Sequence, residues 1–550
     1  MEKDFTTKAT FLLLLAIVIF LNALGLFNDI MEIDGALYAS ISKQIEGSNN
    51  WLYLWAEGAE WLDKPHLPFW LAASSFKLFG ISSFSYKLPS FLFFLLSIFY
   101  CYKLSASLYT QKIAQLATLI YATALHTVIC NFDGKVEIYL TAFIIGATYH
   151  FYKALNKNWC WHLLAAAFFC ACAIMTKGIF SVIIFASGFI IYWIKTKQWL
   201  EFLNPKWYLL VLFILIFILP ELYALYTQFD LHPEKLIFGG THVSGLRFFF
   251  WDSQFGRFFN NGPIKGSGDL SFFMHTTVWA FLPWSILLII AVIKIFSRKN
   301  TSASNDQRWI IGGSASITFL MFSLSKFQLP HYIVSIFPHL AMISAFYMIE
   351  VANEKTLQKI NLFQTFLILL LVILITWIII TYKFDSISWF VIVICIILIC
   401  IFYYKSENLL IAITIKNIGF ALILSIFLNS LFYPSLLQYQ SGMMAAKWLN
   451  LNHINQPITV GNSGSSSFHF YYKGKVIYNN NSLVAFDSAK KNSIVYFGSM
   501  RDLRALRKDS LQFSILKTFP QFRVSQLNIQ FLDHQSRSKT LDTFAIAKIK

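Results

Sequence analysis

Long apolar runs broken by short polar segments set the pattern of the chain from Phe11 to Leu431. Each run is long enough to cross a bilayer, which takes about 20 residues. About thirteen membrane helices are predicted, starting near Phe11, Leu88, Ala114, Val136, Trp161, Ile179, Trp207, Phe272, Trp309, Ile333, Leu362, Ile387 and Leu409. The first run, Phe11–Phe27, lacks a small-residue cleavage site and reads as a retained span rather than a signal peptide. From about Tyr433 the period changes. Ser441–Asn452 reads as an amphipathic helix, and Pro457–Gly461, Lys475–Tyr478 and Asn492–Phe497 read as short strands. Asp502–Lys508 reads as a helix between later strands. The expected architecture is a polytopic α-helical membrane domain, residues 1–432, followed by a small C-terminal α/β domain, residues 433–550. The second part carries no glycine-rich phosphate loop at a strand–helix junction, so it reads as a lid or docking module.

Composition supports the membrane reading. The chain is 57% hydrophobic, 18% aromatic and only 13% charged, against about 25% charged in a soluble domain. The net charge of +17 does not point to nucleic acid. Its lysines and arginines fall between apolar runs, at Gln111-Lys112, Lys153–Lys157, Lys195–Lys197, Lys294–Arg308 and Lys355–Lys359, after even-numbered spans. The positive-inside rule then puts the N-terminus in the cytoplasm, and an odd number of spans puts the C-terminal domain on the opposite, outer side. The seven cysteines form no Cys-x-x-Cys pair and read as small core residues.

Two outer loops are long, residues 29–87 and 228–270, and loops of this kind are where a site is usually built. The first begins with Asp29, Glu32 and Asp34 ahead of a helix striped by Leu37, Ile41 and Ile45. Asp34 lies three residues before Leu37, so spacing turns it toward the buried side; a helix N-cap is the alternative reading. Trp51, Trp55, Trp61 and Trp70 suit a bilayer interface. The interface does not account for Asp63-Lys64 held between Trp61 and the rigid Pro65, although Lys64 could equally snorkel.

Taken together, several short segments resemble the bacterial GT-C-fold glycosyltransferases that use lipid-linked sugars, the aminoarabinose-transferase and protein-mannosyltransferase-like group. They are Asp34 with Tyr38-Ala39, Asn49-Asn50-Trp51, Asp63-Lys64-Pro65-His66-Leu67-Pro68-Phe69-Trp70, Phe76–Gly80 and Lys87-Leu88-Pro89-Ser90. The likeness is strongest over the first two spans and their loop, and continues more weakly to about Leu340. Gly35 stands where many of that group have a second acid, His66 replaces a proline, and Lys87 replaces an arginine.

The resemblance implies a sugar donor on a polyprenyl phosphate, a lipid, glycan or protein acceptor, and an inner-membrane location. It implies Asp34 as the catalytic carboxylate, with Asp133 of Asn131–Glu137 as a second acid. Lys64 would contact the donor phosphate, as would Arg257 of the second loop, Lys177 of Lys177-Gly178, and Lys326 of Ser325-Lys326-Phe327-Gln328-Leu329-Pro330. Asp63 and His331 match positions where some relatives hold a divalent ion, zinc or similar, so a metal cofactor is an expectation. A transporter or flippase is the competing class. It would more often place ionisable residues at mid-membrane in repeated halves, whereas these gather at one face without a repeat.

Overall fold

A computed structural model describes residues 7–155, 161–297, 308–384, 387–403, 408–461, 465–478, 495–507 and 513–549. Cys160, Lys157, the loop residues 298–307 and the strand start at 492–494 lie outside the described residues.

Five described helices are each long and apolar enough to cross a membrane: Lys8–Phe27, Ser83–Leu108, Pro330–Val351, Glu354–Tyr382 and Leu409–Leu437. Two further spans are bent pairs, Gln111–Thr123 with Leu125–Asp133 and Pro205–Phe217 with Leu219–Asp230. Shorter apolar helices are Trp161–Lys177, Phe180–Lys195, Ser285–Lys294, Arg308–Leu324 and Ser388–Ile401, and Val136–Ala154 adds a helix of 19 residues. Each predicted apolar run therefore falls on a described helix or helix pair. On Glu354–Tyr382, Leu362, Ile373 and Ile380 are 72%, 65% and 70% exposed, a surface that lipid rather than water must cover.

The breaks have local causes. Pro220 sits at the start of Leu219–Leu225, and a proline there removes one backbone donor and clashes with the preceding turn, giving the 42° bend. The 56° bend at Ala124 frees the Leu125 N–H, which donates to Leu282 O at 2.8 Å. Leu282 lies in the break between Phe272–Ala280 and Ser285–Ser297. Trp284 Nε1 donates back to Thr123 Oγ1 at 2.9 Å. Two broken helices thus satisfy each other's polar groups where no water is present.

Val136–Ala154 is buried along nearly its whole length, between Ser83–Leu108, Trp161–Lys177, Phe180–Lys195 and Pro330–Ile336. Glu137, Thr141, Thr148 and His150 are tolerated on it because protein surrounds them.

Beyond the last span, Ser441–Leu451 is the amphipathic helix expected. Among the described residues, five strands follow: Ile458–Val460, Val476–Tyr478, Val495–Ser499, Phe513–Gln521 and Asp542–Ile549. The first pairs in parallel with the second and third; the last pairs antiparallel with the third and fourth. Met500–Arg507 is the helix predicted between strands. This sheet region packs on the first long loop.

Candidate active site

The polar residues singled out above lie in, or within two residues of, five connections at one end of the helix bundle: residues 28–82, 134–135, 178–179, 231–271 and 325–329. Between them lies an open cleft lined by Asp63, Lys64, Glu137, Lys177, Arg257 and Tyr332 among others, with apolar walls of Phe180, Ile184 and Phe322.

Three cations converge on this cleft. Lys64 Nζ lies 3.0 Å from Asp63 Oδ2, and Arg257 pairs with the other oxygen, Oδ1, of the same carboxylate. Arg257 also donates to Asp63 O at 3.3 Å and lies over the Phe327 ring, 5.3 Å from its centre. Burial would raise the Asp63 carboxyl, but Lys64 and then Arg257 outweigh it and hold the group below the ordinary carboxylate range. Burial, with the nearby charges of Arg257 and Lys177, pulls the Lys64 ammonium down to about 8 against the opposing pull of Asp63. Lys177 pairs with Glu137 and lies over the Tyr332 ring at 4.2 Å. The glycine after it is required: Gly178 has φ +93°, and a Cβ there would collide with the side-chain amide of Gln254. Gln254 in turn donates to Lys177 O at 3.3 Å.

A second cluster is acidic. Lys135 Nζ is 2.9 Å from Asp133 Oδ2 and 3.5 Å from Asp34 Oδ2. Burial lowers Lys135, but the two carboxylates outweigh it and raise its value well above the usual lysine range. Asp34 is the first residue of Asp34–Ser48, following the N-cap Ile33. Its side chain is 44% exposed, so the inward face expected from spacing is corrected: Ile41 and Ile45 are buried, while Asp34 leans to the open rim. One turn on, Tyr38 feels the charges of Asp34, Asp63 and Glu137; burial first, then these acids, raise its phenol well above the ordinary range, so it stays a neutral donor. Gly35 is explained by Asp133. A Cβ at 35 would lie 2.9 Å from Asp133 Oδ1 and 3.0 Å from Ile30 Cγ2, so a second acid has no room beside Asp34.

Lys64, Arg257 and Lys177 thus share the cleft, and Asp34 and Asp133 share Lys135. Lys326 does not join them: its side chain is exposed and only its backbone reaches the rim, through N–H to Phe258 O at 3.1 Å. Nor do the expected metal ligands meet. Both Asp63 oxygens are taken by Lys64 and Arg257, while His331 Nε2 faces Glu137 Oε1 at 3.6 Å. Among the described residues no cluster of three His, Cys, Asp or Glu side chains could hold an ion, so these residues do not fit a shared metal. Glu137, Tyr38 and Tyr332 were not assigned from the sequence. The available signals were an acid inside an apolar run for Glu137 and the i+4 spacing from Asp34 for Tyr38.

The sheet region fixes the start of the first loop. Lys447 Nζ bonds Asp29 Oδ2 at 2.6 Å. The Ile30 N–H donates to Tyr471 Oη at 2.7 Å, and the Glu32 N–H donates to Gln440 Oε1 at 2.6 Å. Ser465 and Ser467 both donate to the Glu32 carboxylate. Lys43 Nζ donates to the carbonyls of His469, Phe470 and Tyr472 at 2.8, 3.1 and 2.6 Å. At the other end of the loop, Lys87 donates to Gly25 O and Asn28 O at 3.0 and 2.9 Å, tying itself to carbonyls where the first span ends.

Residues 63–223 match the family model described as dolichyl-phosphate-mannose-protein mannosyltransferase. A protein of Shewanella sediminis named undecaprenyl phosphate-alpha-4-amino-4-deoxy-L-arabinose arabinosyl transferase is 24% identical over 357 residues, 63% of this chain and 60% of the relative. A protein of the same name from an Enterobacter species is 24% identical over 345 residues, 61% and 58% of the two chains. The chain therefore matches about three-fifths of the length of these relatives. The solved structure of ArnT from Cupriavidus metallidurans bound to undecaprenyl phosphate superposes with a TM-score of 0.75 at 15% identity, covering 98% of each chain. The chain is a multi-pass membrane protein of GT-C fold, similar in sequence to the aminoarabinose-transferase and protein-mannosyltransferase-like group.

Proposed function

We propose that this protein transfers a sugar from a polyprenyl-phosphate donor to an acceptor at the periplasmic face of a bacterial inner membrane. The carrying observation is the convergence of Lys64, Arg257 and Lys177 on one apolar-walled cleft beside the carboxylates Asp34 and Asp133. The cations suit a phosphate that leaves the anomeric carbon with the bonding electron pair, and Arg257 offers a planar donor set for it. The apolar walls suit the first isoprene units. The acceptor oxygen forms the new bond to that carbon, and Asp34, on the open rim, accepts its proton where the acceptor is a hydroxyl. A phosphate acceptor needs no base, and Asp34 then orients it. The names of the similar proteins and the lipid in the solved relative support a polyprenyl-phosphate donor; lipid A, another glycan and a protein hydroxyl are the acceptors to test. The basic connections at the opposite end of the bundle support a cytoplasmic N-terminus and a periplasmic sheet region.

The test is turnover by purified Asp34→Asn in lipid nanodiscs with a polyprenyl-phosphate sugar. Transfer should fall at least about a hundredfold, the scale of removing a general base, with binding of the donor lipid retained. Wild-type turnover by that variant would refute the role of Asp34, and a wild-type protein that binds no polyprenyl phosphate would refute the function.

A further inference from the structure

Residue 66 immediately follows Lys64-Pro65, and here it is a histidine whose side chain is fully buried against an equally buried Glu221. The His66 N–H donates to Glu221 Oε2 at 3.0 Å, and ring Nδ1 meets Oε1 at 2.9 Å. Ring Nε2 lies 3.1 Å from Leu52 O. A carbonyl only accepts, so Nε2 carries a hydrogen, and one proton lies between Nδ1 and Oε1. Every polar atom of both side chains is thereby satisfied, which a buried pair requires.

The pair belongs to a larger attachment. Seven residues after Glu221, on the same helical face, Gln228 Oε1 accepts the Leu54 N–H at 3.0 Å and its Nε2 donates to Leu54 O at 2.8 Å. Leu219–Asp230, the segment beyond the bend in its span, therefore holds the loop at both residue 54 and residue 66. Asp63, Lys64, Pro65 and Glu221 line one small void between them.

We propose that the His66–Glu221 pair positions the donor-phosphate site, fixing the Asp63-Lys64 backbone where Lys64 Nζ reaches the cleft; this rests on the function given above. The proline that the resemblance leads one to expect at 66 has neither a backbone N–H nor imidazole nitrogens, and would leave both Glu221 oxygens buried and unpaired. His66 and Glu221 are thus a matched set.

The experiment compares wild type, Glu221→Ala, Glu221→Gln, His66→Pro and the double variant His66→Pro/Glu221→Leu in nanodiscs. It measures undecaprenyl phosphate affinity, donor KM, kcat and melting temperature. Glu221→Ala should weaken undecaprenyl phosphate binding and raise donor KM by about tenfold while kcat changes little, as expected when buried polar groups lose their partner beside a binding residue. Glu221→Gln, whose amide can accept from the His66 N–H and donate to Nδ1, should restore near wild-type affinity. The double variant should recover most of what His66→Pro loses. Wild-type affinity and KM in a folded Glu221→Ala protein would overturn the proposal, as would a fall in kcat with KM unmoved. If Glu221→Ala does not fold, a double variant no better than His66→Pro overturns it. Equal binding by wild type and Glu221→Ala removes only the positioning role; a wild type that binds no undecaprenyl phosphate removes the function as well.

Discussion

Asp63→Asn should move the alkaline limb of donor use toward neutral pH. Lys64 is held at about 8 by burial and by Arg257 and Lys177, with Asp63 opposing them. Glu137 and Tyr332 complete the polar wall around it. A phosphate site needs the ammonium charged, so kcat/KM for donor should fall as pH rises through about 8. Removing the Asp63 charge 3.0 Å away removes a Coulomb attraction of about 5.5 kcal/mol at an effective dielectric constant of about 20, an upper bound. A quarter of that, about 1.4 kcal/mol, shifts the midpoint by about one pH unit. The limb should therefore move from about 8 to about 7 or below. Loss of fold would not mimic this. Lys64 and Lys43 both have folded values near 8, below the usual 10.5. Between those values the unfolded chain binds more protons, so these lysines add stability as pH rises through the window rather than removing it. The assay is initial rate against donor concentration from pH 6 to pH 10, with melting temperature at each pH. An Asp63→Asn limb at the wild-type pH would refute the electrostatic reasoning.

Gly35→Ala should cut kcat by about tenfold or more, because its Cβ would push Asp133 from its place beside Lys135 or shift the start of the Asp34 helix; kinetics equal to wild type would show that the cluster gives way freely. Glu32→Ala removes the acceptor for Ser465 and Ser467 and should lower kcat while undecaprenyl phosphate affinity holds, since its effect reaches Asp34 rather than Lys64; an equal loss of affinity would contradict that separation. Chelation should leave turnover unchanged after dialysis against EDTA, because Asp63 is engaged by Lys64 and Arg257; a loss restored by zinc would show that a metal displaces those cations.

The spans were legible because apolar length is a one-dimensional property, and so were the small sheet's strands, bounded by polar turns. The site was legible only in part. Lys64 and Arg257 lie 193 positions apart in the chain, and family resemblance, not spacing, linked them. Asp34 was given the wrong exposure because helical periodicity ranks faces relative to one another, and the first residue of a helix is only half enclosed by its neighbours.

Lys326 and Glu137 mark the limit from opposite sides. Lys326 belongs to a motif next to the cleft, yet motif membership does not set side-chain direction. In the turn after Leu324, Phe327 folds over Arg257 and Lys326 points out, so the cation near the site in sequence is not the cation in it. Glu137 had no motif role, yet it receives both Lys177 and His331. What singles it out is energetic: an acid in the first turn of a helix enclosed by protein must be matched by a cation, and the cation that matches it here faces the cleft. Matching a buried charge to its partner requires knowing which turns meet at one end of the bundle, which is the information that the fold adds to the sequence.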